Sequence, residues 1–205
     1  MRITAEAKSA TRQRILQAAV NLFVSEGWQH ATTRGIAVAA GIATGTLFNY
    51  FPSKEAIAAA LMAEALERGC DEFQAGCSGE NSLEADLFSL IWSGLRNLRP
   101  LRKCLGPASD TIFSPLSRHS PDSPGDAIRV DHLELVERVL TSHGFPAPRP
   151  AVTTQLYWTL YLGVFAYWAA DDSPGQEDTL ALLDQSLRLF VDSLSYQGRE
   201  TNGRR

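Results

Sequence analysis

Apolar residues recur every three to four positions over most of this 205-residue chain, the spacing of helices that each bury one face. The first such stretch, residues 11–26, sets Ile15, Leu16, Ala19, Leu22 and Phe23 on one side and Arg12, Arg14, Gln17 and Asn21 on the other. Gly27 ends it, and Trp28 is placed to fold back on Phe23, the apolar contact that accompanies such a cap. Helical periods return over 53–73 (Ile57, Leu61, Ala65, Leu66) and 82–98 (Leu83, Leu87, Phe88, Ile91, Trp92, Leu95). A shorter helix is expected over 101–113, broken near Gly106-Pro107, and another over 126–142 through Ile128, Leu133, Val136 and Leu140. Two long helices follow, 151–170 and 177–196, the latter through Leu180, Leu183, Leu187, Phe190, Val191 and Leu194. Residues 74–81 and 144–150 read as loops, 114–125 as a Pro- and Ser-rich mobile loop, 171–175 as a turn, and 197–205 as a disordered polar tail. No strand pattern and no internal repeat is visible, so the expected fold is all-α.

The densest information lies in residues 32–54, TTRGIAVAAGIATGTLFNYFPSK. Two short apolar-patterned segments, 34–40 and 44–51, are joined by Gly41-Ile42. Thr32 or Thr33 caps the first, because a hydroxyl oxygen there accepts a free backbone N–H. Gly41 supplies the left-handed residue that ends it. Pro52 stops the second, and Ser53 caps the helix that follows. Two short helices joined by a tight glycine turn form a helix-turn-helix, here at about 32–51, whose second helix enters the DNA major groove. On that helix Leu47 and Phe51 share a core-facing side, whereas Thr44, Gly45, Phe48 and Asn49 share an exposed one. Such a small, polar or flat face suits base edges and thymine methyls. Residues 35–53 contain no Asp, Glu, Lys or Arg, so no carboxylate there repels phosphate. Arg34 and Lys54 stand at helix starts on either side, where free N–H groups hold anions.

Charge supports the same end of the molecule. The net charge is −4, but residues 1–54 carry Arg2, Lys8, Arg12, Arg14, Arg34 and Lys54 against Glu6 and Glu26 alone. That third is therefore at +4 and the remainder at −8, which puts a polyanion-binding face at the front.

These residues resemble the TetR/AcrR family of transcriptional regulators, over about 8–66. Thr32-Thr33-Arg34 with Ile36-Ala37 is similar to the family's second-helix opening. Gly41-Ile42, Gly45-Thr46-Leu47 and Tyr50-Phe51-Pro52-Ser53-Lys54-Glu55 are similar to its recognition helix and the start of helix four. The resemblance implies a DNA-binding set of Thr32, Thr33, Arg34, Thr44, Gly45, Thr46, Phe48, Asn49, Tyr50 and Lys54. Within it, Thr33, Tyr50 and Lys54 would touch phosphate, and Arg34, Thr44, Gly45, Thr46 and Asn49 would touch base edges. Two positions depart from the family: Ala43 replaces a polar residue, often Ser, and Phe48 replaces a usual Tyr. Phe48 has no hydroxyl to give to phosphate, so an apolar contact with a base or sugar is expected of it. The resemblance further implies a head at 8–68, a regulatory and dimerisation domain at 69–196, and a homodimer through the last two long helices.

The C-terminal part holds the large aromatics. Phe88, Trp92, Phe113, Tyr157, Trp158, Tyr161 and Phe165 are the expected lining of a pocket for an unidentified, mostly apolar small-molecule effector. Leu183, Leu187, Phe190, Val191 and Leu194 are the expected dimer interface. A two-fold dimer presents two recognition helices one DNA turn apart to a near-palindromic double-stranded operator. Linkage then makes operator and effector oppose each other, which describes a repressor released by ligand. A ligand-dependent activator, or a helical carrier or interaction module without sequence-specific DNA binding, are the alternatives.

Other classes find less support. Residues 151–170 carry no charge and are long enough to span a bilayer, but Thr153, Thr154, Gln155 and Thr159 dilute insertion. A helix buried in a bundle or between subunits is the expected reading, with no membrane partner. Cys70, Cys77 and Cys104 are odd in number, without CxxC and without a secretory leader ahead of them. That fits a reducing, cytoplasmic setting and idle or buried thiols. His30, His119, His132 and His143 show no metal-ligand spacing, so no metal or cofactor is expected. No base, nucleophile or metal cluster marks an enzyme.

Overall fold

A computed structural model describes residues 4–76, 80–102, 104, 124–145 and 147–202, with the backbone alone at 124 and over 195–202. Among them are eight α-helices: α1 (Ala5–Glu26), α2 (Thr33–Ala39), α3 (Thr44–Phe48), α4 (Lys54–Gly76), α5 (Leu83–Leu98), α6 (Pro124–Ser142), α7 (Ala151–Ala170) and α8 (Glu177–Asn202). Short 3-10 turns occupy Arg99–Leu101 and Pro174–Gln176, and the described residues contain no strand. The all-α expectation holds.

Several boundaries move for local reasons. Helix α1 starts six residues earlier than its apolar period, because Thr4 accepts the Ala7 N–H at 3.2 Å and caps a turn exposed to solvent. A helix turn that buries nothing leaves no hydrophobic pattern to read. Helix α3 ends at Phe48 rather than 51, since the Asn49 and Tyr50 N–H groups bond three residues back, to Thr46 and Leu47 carbonyls at 3.1 and 2.9 Å. Helix α6 opens on Pro124, a residue suited to the first helical position. The backbone of α8 stays helical to Asn202, past the point where a disordered tail was expected. Of the expected 101–113 helix only 101, 102 and 104 are described, and most of the 114–125 loop lies outside the described residues.

The chain divides into two compact units. One comprises Met1–Ala65 with Leu98–Ile128, the other Leu66–Asn97 with Arg129–Arg205. Residues 98–104 fall in the N-terminal unit. Leu101 and Cys104 are buried there, and the Cys104 thiol donates to the Phe23 carbonyl at 2.7 Å. Burial pushes this thiol's pKa up, so it is a packed structural group. Cys70 is a half-buried free thiol, and Cys77 lies outside the described residues.

The N-terminal unit is built around Ile15, Leu16, Phe23, Ile36, Leu47, Ile57 and Met62, all at or near zero exposure. Gly27 takes φ +80° and lets Trp28 return onto Phe23, ring centres 5.2 Å apart, as the sequence predicts. In the C-terminal unit the apolar stripe of α5 (Leu83, Leu87, Ile91, Leu95) is buried. Asp171 closes the start of α8, its carboxylate accepting the Ser173 and Thr179 N–H groups at 2.8 and 3.0 Å and the Thr179 hydroxyl at 2.5 Å.

Candidate nucleic-acid interface and effector site

Helix α2 is capped by Thr32, whose Oγ1 accepts the Gly35 N–H at 3.0 Å. Thr33 is therefore the first helical residue, not the cap. The helix ends in a paired C-terminal closure: Gly41 at φ +67° donates to Val38 at 3.0 Å, and Ile42 donates to Ala37 at 3.0 Å. Those two bonds satisfy carbonyls that a helix end otherwise leaves open. They also aim the chain directly into α3, with only Ile42 and Ala43 between Gly41 and its first residue. Ala43 forms the N-cap of α3 without a side-chain bond, because alanine has no hydroxyl to accept a backbone N–H.

On α3, Leu47 is fully buried and Phe51 after it is 5 % exposed, so both anchor the helix to the core. Gly45, Phe48 and Asn49 are exposed, and Thr44, Thr46 and Tyr50 are half-buried. Phe48 is 47 % exposed, a large ring facing solvent beside polar neighbours. Thr32 and Arg34 are exposed at the start of α2, with Thr33 half-buried. Val38, on the same helix, is 73 % exposed. Its place in the apolar run hid it; only the burial of Ile36 and Ala37 shows that it points away from the core.

Among the described N-terminal cations, Arg12 and Lys54 make contacts far along the chain within the fold. Arg12 pairs with Glu64 at 2.5 Å and lies 5.5 Å from the Phe51 ring centre. Lys54, expected at a phosphate, instead donates to the Trp28 and Ala31 carbonyls at 2.7 and 3.1 Å. Its ammonium also stands 4.3 Å from the centre of the Trp28 ring. A cation at the first residue of a helix opposes the helix dipole, and these carbonyls offer it the opposite polarity. Ser53 caps α4 by accepting the Ala56 N–H at 3.1 Å.

In the C-terminal unit, Tyr157, Trp158, Tyr161 and Phe165 are buried along one side of α7. They meet a residue that sequence reasoning set aside. His132 on α6 lies 4.2 Å from the Tyr161 ring centre, and its Nε2 is 3.0 Å from the Tyr157 hydroxyl. Burial lowers the His132 pKa to about 4 and, with Tyr161 adding to it, raises that of Tyr157. All of these groups are uncharged at neutral pH. Trp92 is half-buried on α5, and Phe113 lies outside the described residues. Phe88 is elsewhere: with Ser82, Ala85 and Ser89 it faces Asp184, Leu187 and Arg188 of α8 across an open groove of about 680 Å³.

The expected dimer residues are inward. Leu183, Leu187, Phe190, Val191 and Leu194 are 1–9 % exposed within a single chain, and Phe190 packs on Tyr157 with ring centres 5.3 Å apart. They are protomer core, because α8 must first cover α7. The outward side of α7 carries Val152, Leu156 and Tyr167, 67, 40 and 44 % exposed, with Gly163 exposed between them. Leu182 and Leu189 are the outward apolar residues of α8, 36 and 59 % exposed. No helix of the described residues is long and apolar enough to cross a membrane, and none of their acidic, His or Cys side chains group as a metal site.

The chain is similar to known proteins. The family described as "Bacterial regulatory proteins, tetR family" matches residues 15–61. The HTH-type transcriptional regulator UidR of Escherichia coli (strain K12) is 32 % identical over 81 residues, 40 % of this chain and 41 % of UidR. The chain thus spans about two fifths of the length of that curated relative. A TetR transcriptional regulator from Rhodococcus sp. RHA1 superposes with TM-score 0.68 over 89 % of this chain and 97 % of its own, at 18 % identity. A TetR-family repressor, Thermus thermophilus FadR, solved in complex with lauroyl-CoA, superposes with TM-score 0.67 at 24 % identity, over 88 % of this chain and 93 % of its own.

Proposed function

Since the chain belongs to the TetR family of transcriptional regulators, we propose that it is a homodimeric repressor, released from a near-palindromic operator by a small apolar effector. The observation that carries the reading is the exposed, uncharged face of α3, Gly45, Phe48 and Asn49, held out by a capped α2 and the Gly41 closure. A surface with no carboxylate enters the major groove without electrostatic cost, and Phe48 offers thymine methyls an apolar partner. Thr44 and Thr46 flank that face, Arg34 supplies a guanidinium able to bond guanine in two places, and Thr33 and Tyr50 supply hydroxyls for phosphate.

The dimer reading now rests on the outward side of α7 and α8. Val152, Leu156, Tyr167, Leu182 and Leu189 leave apolar area in water, and a second copy using the same surface covers it by two-fold symmetry. Gly163, whose missing Cβ would meet nothing within 4 Å, lets a partner helix approach closely.

The effector reading rests on the neutral aromatic cluster Tyr157–Trp158–Tyr161–Phe165 around His132. The rings themselves carry no charge, the nearest being the Arg129 guanidinium 5.9 Å from the Trp158 ring centre; such a zone favours an apolar or acyl portion over a cation, and the lauroyl-CoA complex of the Thermus thermophilus relative is compatible with that. Helix α4 contributes residues to both units, so a rearrangement of its C-terminal half by ligand is felt along one continuous helix.

The test is a salt titration of binding to generic duplex DNA, followed by selection of bound genomic fragments. Affinity that falls steeply as salt rises, together with an enriched palindromic sequence, supports the reading. Salt-independent or absent binding overturns it.

A further inference from the structure

We propose that Lys54 is a positioning residue for DNA binding, acting through the backbone that precedes α2 rather than by touching phosphate. This rests on the DNA-binding reading above. Trp28 and Ala31 are 7 and 1 % exposed, and both lie in the connection between α1 and α2, where no helix ladder supplies donors. Buried carbonyls without partners are costly, and the Lys54 ammonium is the donor found at both, at 2.7 and 3.1 Å. The Trp28 ring, 4.3 Å from the same nitrogen, adds a cation–π contact. The ammonium is thus held from three directions by one short segment.

That segment ends at the cap of α2. Ala31 precedes Thr32, whose hydroxyl accepts the Gly35 N–H at 3.0 Å and whose carbonyl accepts the Ile36 N–H at 2.9 Å. The cap has little tolerance: a Cβ on Gly35 would stand 3.3 Å from the Thr32 hydroxyl oxygen. Fixing Ala31 therefore fixes where α2 begins, and the Gly41 closure carries that placement into α3. Lys54, the first residue of α4, in this way ties the start of α4 to the start of α2.

The experiment compares the full-length wild type with Lys54→Met, which keeps the aliphatic stem and removes the charge. Binding to a mixed-sequence duplex is measured against salt well below the unfolding temperature, alongside amide hydrogen exchange. Weaker binding with an unchanged slope of log affinity on log salt is expected, with exchange at Gly35 and Ile36 accelerated more than at Leu61 in α4. A slope reduced by about 0.9 per head means that Lys54 neutralises a phosphate, and overturns the proposal. So does unaltered exchange at Gly35. Should Lys54→Met not fold, Lys54→Arg decides the matter. A phosphate contact tolerates guanidinium, whereas the two-carbonyl seat on Trp28 is shaped for a compact ammonium, so faster Gly35 exchange is expected and its absence overturns the assignment. Wild-type protein that binds no DNA defeats the functional reading alone, because the exchange measurement still tests the tie.

Discussion

A Cβ added to Gly69 would lie 2.7 Å from the backbone nitrogen of Gly94. Helices α4 and α5 therefore cross with their main chains in contact, leaving no room for a side chain at that point. The reverse is not true: a Cβ on Gly94 would meet only the Cδ2 of Leu66, at 2.9 Å. The Glu72–Arg96 pair, 2.6 Å apart and exposed, adds little to this crossing; the glycines set its closeness.

Gly69→Ala is accordingly expected to destabilise by about 1–3 kcal/mol, the range for overpacking a filled site. Gly94→Ala is expected to cost much less, since a leucine methyl moves readily and the helix gains about 1 kcal/mol of propensity. Chemical denaturation of the two variants checks the contrast. Equal losses would mean that the crossing adjusts as a rigid pair.

His132 makes stability depend on pH. Its folded pKa is lowered to about 4 by burial, whereas an unfolded histidine titrates near 6.5. Between those values the unfolded chain binds the extra proton, so stability rises with pH there and is lost on acidification. The full contribution is present above about 6.5, and about 3 kcal/mol disappears by about pH 4. The difference between wild type and His132→Gln, measured by denaturation from pH 7 to 5, should shrink as pH falls. A constant difference would place the proton elsewhere.

Two neighbouring residues of α8 are expected to answer a glutamate differently. Leu189→Glu, on the outward side, should leave a folded monomer by light scattering, and Gly163→Glu on α7 should do the same. Leu187→Glu puts an unpaired carboxylate into a site 4 % exposed, and should unfold the protomer itself. A folded dimer in the first two would move the interface to another face.

The same separation of core from surface applies to α3. Leu47→Ala removes a fully buried side chain and should cost about 2–5 kcal/mol. Phe48→Ala should leave the thermal midpoint nearly unchanged while weakening binding at particular operator positions, as Arg34→Ala should. A uniform loss across sequences from Phe48→Ala would show that it meets the sugar–phosphate backbone rather than a base.

What the amino-acid order determined by itself was local: a threonine cap at 32 or 33, the Gly41 turn, the Gly27 return of Trp28 onto Phe23, and the buried pair Leu47 and Phe51. Each follows from a backbone conformation or a helical period within a few residues. The periods could not say which of two apolar sides of a helix is used first. Leu183, Leu187 and Phe190 satisfy the same period as Leu182 and Leu189, and only packing against α7 assigns the former to the protomer and leaves the latter outside. Long side chains escaped for a related reason. The reach of Lys54 covers both solvent and the Trp28 carbonyl, and a partner 26 residues away decides between them. His132 shows the limit from the other direction, since a lone histidine has no pattern until the fold surrounds it with Tyr157, Trp158 and Tyr161. Short-range geometry is written in neighbouring residues, whereas burial is a property of whatever the rest of the chain brings alongside.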